Sequence, residues 1–126
     1  MKAPPRRILV IDDEPDLLEM IAFRLESSGA CRVETAADGR EGLEKLHASR
    51  PDLVLVDLLM PGLDGWEVQR RIRDDPELKD VPVVLLTASP LPEVRQRALK
   101  EGFRQVLPKP FDSDDLVARV RLLTAA

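Results

Sequence analysis

The stretch Ile8-Leu9-Val10-Ile11-Asp12-Asp13-Glu14-Pro15 decides how the rest of the chain is read. Four consecutive aliphatic residues form a strand covered on both faces, as in a parallel sheet. The acidic triplet then brings the chain to a surface. Pro15 opens a helix, because the N–H it lacks is surplus at a first helical position. Leu17, Leu18, Ile21, Ala22 and Leu25 follow at three- and four-residue steps, and Gly29 ends the segment. The same strand-then-helix unit recurs down the chain. Leu53-Val-Leu-Val56, Val81-Pro-Val-Val-Leu-Leu86 and Val106-Leu107 are further apolar runs, and the more polar Cys31-Arg-Val-Glu-Thr35 is expected at a sheet edge.

Helices are predicted from Asp38-Gly-Arg-Glu41, carrying Leu43 and Leu46, and from Asp64-Gly-Trp-Glu67, carrying Val68 and Ile72. Both openings have capping-box spacing. A fourth follows Pro92, with Val94, Ala98 and Leu99 on one face and Gly102 as its stop. A fifth starts near Asp112 or Ser113 and carries Leu116, Val117, Val120 and Leu123. Five such units predict an α/β fold: a parallel sheet with helices on both faces, joined by right-handed crossovers. Residues 1–126 read as a single domain.

Composition narrows the function. Of 126 residues, 44% are hydrophobic and 33% charged, which suits one globular core. With three Phe, one Trp and no Tyr, that core must be aliphatic. A net charge of −4 argues against nucleic-acid binding through a broad basic face. No apolar run approaches the roughly 20 residues of a membrane span, and Ile8 to Ile11 is too short for a signal peptide. The single cysteine, Cys31, excludes an intrachain disulfide and fits a reducing cytoplasm. Metal sites built on several Cys or His are excluded too, so any metal is held by oxygen.

Ligands of such sheets bind at the carboxyl ends of the strands, near the switch in winding direction. There the first strand ends in Asp12 and Asp13, the third in Asp57, the fourth in Thr87 and the fifth in Lys109, followed by Pro110. Taken singly these are ordinary: acidic pairs cap helices, and Lys-Pro makes turns. Together they place three carboxylates, a hydroxyl and an ammonium on one rim. Carboxylates so gathered repel one another, and Mg²⁺ is the simplest remedy, since it takes a few carboxylates and favours phosphate oxygens. Lys109 and Thr87 complete an anion cradle suited to phosphoryl transfer. The central carboxylate is a candidate nucleophile that would form an aspartyl phosphate.

On Ile8-Leu-Val-Ile-Asp-Asp-Glu-Pro15, Asp57-Leu-Leu-Met-Pro-Gly-Leu-Asp-Gly65, Leu85-Leu-Thr-Ala88 and Lys109-Pro-Phe111, the sequence resembles the receiver domain of bacterial two-component response regulators. Order and spacing fit from about residue 6 to about residue 124. The resemblance implies a flavodoxin-like, doubly wound five-stranded sheet of order 2-1-3-4-5 with five helices. It implies that Asp57 accepts a phosphoryl group from a phosphohistidine on a sensor kinase or phosphotransfer protein. Asp13, Asp57 and the backbone carbonyl of Leu59 would bind Mg²⁺, with Asp12 acting largely through a coordinated water. Lys109 would pair with the phosphoryl oxygens and Thr87 would swing toward them. A cis Lys109–Pro110 bond is expected, and Gly62 and Gly65 fit the tight turn after the acceptor.

The switch would then pass to the face of the fourth helix, fifth strand and fifth helix. A downstream protein partner, or an output domain outside this sequence, would read it. The domain would be a phosphoacceptor that assists its own phosphotransfer and dephosphorylation rather than an enzyme, cytoplasmic, with no direct contact to nucleic acid or membrane. Receivers usually carry Tyr or Phe three residues before the Lys; here Val106 stands there, and Phe103 lies three residues earlier. Output is therefore expected to change less, or to change through the loop Ala88-Ser-Pro-Leu-Pro92, which two prolines stiffen. Leu59 and Ser89 flank the path of hydrolytic water. Because Leu59 offers no amide to orient that water, slow self-dephosphorylation is expected.

His47, Cys31, Trp66, Arg6-Arg7 and Arg70-Arg71-Ile72-Arg73 read as surface or packing residues. Two rival readings are a pseudo-receiver that never uses the site and a phosphohydrolase with an aspartyl-phosphate intermediate. A general acid two residues beyond the nucleophile would favour the second, and Leu59 cannot serve.

Overall fold

Alternation along each strand sends neighbouring residues to opposite faces of the sheet, and this divides the apolar runs between two cores. Leu9 and Ile11 join Val54, Val56, Val83 and Leu85 on one face. Ile8 and Val10 join Leu53, Leu55, Val84 and Leu86 on the other. The computed structural model describes residues 4–89 and 91–125. In chain order the elements are β1 (Arg6–Ile11), α1 (Pro15–Glu26), β2 (Cys31–Ala36), α2 (Gly39–Ser49), β3 (Leu53–Asp57), α3 (Gly65–Asp74), β4 (Val83–Thr87), α4 (Pro92–Lys100), β5 (Gln105–Pro108) and α5 (Ser113–Thr124).

The sheet runs β2-β1-β3-β4-β5 with every pairing parallel. Leu46 of α2, Val68 and Ile72 of α3 and Ala98 of α4 cover one face. Leu18, Ile21 and Leu25 of α1 and Leu116, Val117 and Val120 of α5 cover the other. The chain steps from β1 outward to β2, then crosses back to β3 on β1's other side. That reversal opens a crevice at the carboxyl ends of β1 and β3, where ligands of such sheets bind. The expected edge strand is β2, half-buried along most of its length.

Local signals acted as their chemistry dictates, with corrections at two helix caps, one helix face and one strand start. Asp38 caps α2 by accepting from the Glu41 N–H at 2.8 Å, but the Glu41 carboxylate accepts from Ala37 at 3.1 Å, one residue before the reciprocal partner of a capping box. Asp64 caps α3 through the Glu67 N–H at 3.0 Å, while the Glu67 carboxylate turns outward to Arg70 and Arg71. Arginines one turn away offer that carboxylate charged donors, which outcompete a backbone N–H. In α4, Val94 and Ala98 face the core, but Leu99 is 54% exposed. One residue is a rotation of about 100°, and a nine-residue helix resting on one buried Ala has no room for a wider apolar face.

β4 opens at Val83 rather than Val81, since Pro82 has no N–H for the ladder. Both β3 and β4 run one residue further than their apolar runs, so Asp57 and Thr87 are strand residues with strand-fixed backbones. Among the described residues, no helix is long and apolar enough to cross a membrane.

Candidate functional site

Ile11 of β1 pairs with Val56 of β3, so the next residues, Asp12 and Asp57, emerge side by side. The Asp12 N–H still reaches β2, donating to Ala36 O at 3.0 Å. Its side chain is fully buried, and both carboxylate oxygens are used. One accepts from the Glu14 N–H at 2.9 Å and the other from Lys109 Nζ at 2.7 Å. Lys109 arrives at the end of β5, where its own N–H donates to Thr87 O at 2.8 Å. Its ammonium also lies 3.4 Å from Asp57 Oδ1 and 3.4 Å from Glu14 Oε1. The Lys109–Pro110 peptide is cis.

Asp13 is exposed, yet one oxygen from each of Asp12, Asp13 and Asp57 falls within 4.8 Å of the others. Thr87 is buried, and its Oγ1 accepts from the Ser89 N–H at 3.0 Å, which leaves its own proton free to donate. A cleft of about 330 Å³ opens between these groups, with Leu59 and Ala88 on its walls. Its floor is held from behind by backbone: Leu58 N–H donates to Leu86 O, and Gly65 N–H to Leu58 O at 2.8 Å. A Cβ at Gly65 would sit 2.7 Å from Asp57 O, so only glycine admits this approach of α3 to the acidic strand end. Gly62, at φ +79°, makes the preceding turn.

Charge and burial act against each other here. Burial pushes the Asp57 carboxyl above its ordinary range, the Asp12 charge adds to this, and Lys109 opposes it. Burial also disfavours the Lys109 ammonium, but its bond to Asp12 and the charges of Asp12, Asp57 and Glu14 outweigh that and hold it raised. Three carboxylates around one ammonium leave the cluster short of positive charge. All the donors are oxygens, and Asp13 keeps the cluster open to solvent. The donor set therefore fits a small hard cation such as Mg²⁺.

All five polar residues picked out from the strand ends come to one rim, and Leu59, 75% exposed, stands over it. Glu14 joins them with no signal of its own in the sequence, since an acid just before a helix is commonplace; its contact is to Lys109, 95 residues on. Val106 is buried on β5, and the aromatic contact lies elsewhere. Trp66 in the first turn of α3 meets Phe103 edge-on at 5.8 Å, and the Arg97 guanidinium of α4 stacks 4.1 Å above the indole. In the loop after β4, Pro90 lies outside the described residues. His47 is a surface residue bonded to Leu43 O and Asp75. Cys31 is half-buried on β2, Arg70 and Arg71 pair with Glu67, and Arg73 donates to Glu101 O.

Residues 8–121 match the family described as the response regulator receiver domain. Response regulator Rre1 of Synechocystis is 38% identical over 123 residues, covering 98% of this chain and 53% of Rre1. The phosphate regulon transcriptional regulatory protein PhoB of Escherichia coli is 39% identical over 116 residues, covering 92% and 50%. The chain thus spans about half the length of these two relatives. Among solved structures, the Vibrio cholerae chemotaxis protein CheY4 superposes with a TM-score of 0.89 at 32% identity, covering 95% of this chain and 99% of that one.

Proposed function

Since this chain belongs to the response regulator receiver domain family of two-component signalling, we propose that it is a Mg²⁺-dependent switch whose phosphoacceptor is Asp57. One observation carries this reading: three carboxylates and the Lys109 ammonium share one cleft, with the Thr87 hydroxyl at its edge. The donor is a phosphohistidine of a sensor kinase or phosphotransfer protein. An Asp57 carboxylate oxygen attacks phosphorus, the phosphorus–nitrogen bond breaks, and its electron pair leaves with the imidazole, which takes up a proton.

Asp13, Asp57 and the Leu59 carbonyl would hold Mg²⁺, with Asp12 acting through a water. Bound there, the ion neutralises charge on the phosphoryl oxygens. Lys109 turns its ammonium to the same oxygens while one of its N–H donors stays on Asp12. The product places about 1.5 to 2 negative charges beside Thr87. Thr87 Oγ1 then donates its free proton to them and draws the loop after β4 inward.

Displacement of that loop reaches α4, which rests on one buried residue. The reading surface is the face of α4, β5 and α5, offered to a downstream protein or an output domain outside this chain. The domain is a phosphoacceptor and not an enzyme that turns over other substrates. Leu59 gives attacking water no hydrogen-bond partner, so the phosphoryl group is long-lived.

The test is intact mass after incubation with acetyl phosphate and Mg²⁺. A stable gain of one phosphoryl group, absent in Asp57→Asn, is the expected result. No gain would mean that the site is unused, and turnover of phosphate esters would mean a hydrolase.

A further inference from the structure

The Lys109 ammonium has three N–H donors and three carboxylates around it: Asp12 at 2.7 Å, Asp57 at 3.4 Å and Glu14 at 3.4 Å. These contacts differ in what can be exchanged. The Asp12 contact is short, and the Asp12 side chain is fully buried. Asp57 is the group that changes when it is modified. Glu14 alone is exposed, its side chain 64% accessible at the mouth of the cleft.

Its backbone is fixed from two sides. The Glu14 N–H is bound to Asp12 at 2.9 Å, and Pro15 restricts Glu14 to the extended conformation it shows, φ −97° and ψ 106°. The side chain makes no cap bond to α1. It is spent on Lys109 instead.

The geometry points to Glu14 as a positioning residue that holds the Lys109 ammonium toward the cleft mouth in the unmodified protein and so slows phosphorylation of Asp57. This rests on the phosphoacceptor reading above. In the transition state Lys109 must face the transferring phosphoryl oxygens, and the contact it can give up is the exposed one. Glu14 therefore stabilises the resting arrangement more than the transition state, which raises the barrier. A kinase that displaced Glu14 on docking would remove this restraint, whereas a small donor cannot.

The experiment compares wild type, Glu14→Ala and Glu14→Asp. Each is mixed with acetyl phosphate and Mg²⁺, the phosphoryl passing to Asp57 as acetate leaves, and the initial rate is read by intact mass. Asp keeps the charge but is one methylene too short for the contact. Both variants should react about two- to five-fold faster than wild type, the reach of one exposed ion pair, with unchanged thermal midpoints. If Glu14→Asp reacts at the wild-type rate while Glu14→Ala is faster, simple repulsion of the donor accounts for the effect and the positioning role is overturned. Equal or slower rates in both variants overturn it as well. No phosphoryl gain in any of the three, wild type included, removes the parent reading and this one with it.

Discussion

Strands β1 and β3 run side by side as Ile8–Ile11 and Leu53–Val56, and on each the next residue is an aspartate. Burial hardly changes across that step: Ile11 and Val56 are 0% exposed, Asp12 0% and Asp57 7%. The energetics reverse. Burying the aliphatic layer stabilises the fold by about 25 cal/mol for each Å² of apolar surface removed from water. Burying the carboxylate layer costs free energy that Lys109 only partly returns, and the raised carboxyl of Asp57 is the sign of it. One sheet thus carries two adjacent layers of equal burial, one supplying stability and one consuming it. Fold and site are legible as separate things because they fall on opposite sides of a single residue step.

Asp57→Asn tests that division most severely. Phosphoryl gain should vanish, while the urea midpoint in metal-free buffer should rise, because one of three mutually repelling carboxylates has become neutral. A lower midpoint would mean that the rim contributes to stability after all. Leu9→Ala, in the aliphatic layer, should do the converse. Leu9 is fully buried in the core on one face of the sheet, and truncation should remove about 2–5 kcal/mol of folding free energy. Its phosphorylation rate well below the melting temperature should stay at the wild-type value. A large change in that rate would show the two layers to be coupled.

The same division explains what the sequence could and could not disclose. Asp12, Asp57, Thr87 and Lys109 stood out because each interrupts or follows an apolar run, and one-dimensional pattern is enough to see that. Strand β2 is readable as an edge because its run is more polar than the others. Glu14 was not readable as part of the site: acids before a helix are commonplace, and its contact forms only when β5 delivers Lys109. Leu99 misled for a related reason. Apolar spacing places a residue near a helix face, but α4 meets the core along the line of Val94 and Ala98, and Leu99 falls off it. The Trp66–Phe103–Arg97 contact joins two helices and the loop before β5 and has no local signature at all.

A pH experiment separates the layers without changing the aliphatic one. The folded Asp57 carboxyl is held above its unfolded value, so the associated stability is present below the unfolded pKa and lost as pH rises through the folded one. In metal-free buffer, wild type should therefore lose stability relative to Asp57→Asn as pH climbs through and above the carboxylate range. Mg²⁺ should remove most of that loss in wild type and little in the variant. Urea midpoints with and without Mg²⁺ at each pH measure it. Parallel curves for the two proteins would mean that Asp57 ionisation is not what burdens the rim.

The smallest effect is expected at an exposed charge pair, and it shows whether burial or charge decides the contrast. His47 has an oxygen acceptor at each ring nitrogen: Leu43 O lies 2.9 Å from Nδ1 and Asp75 Oδ2 lies 2.8 Å from Nε2. Only the imidazolium can donate to both. The Leu43 carbonyl first, and then Asp75, raise its pKa. A raised histidine contributes stability fully below its unfolded pKa, and that contribution fades as pH rises through the folded one. This slope starts near neutrality, not in the carboxylate range. It should also be slight, since the His47 side chain is 55% exposed and water screens the pair. His47→Gln should thus lower the urea midpoint slightly at about pH 5.5 and not measurably at about pH 8. A deficit that persisted unchanged at the higher pH would show that the ring matters through packing and not through its charge. A deficit as large as the rim's would show that the rim owes its energetics to charge alone, whatever its burial.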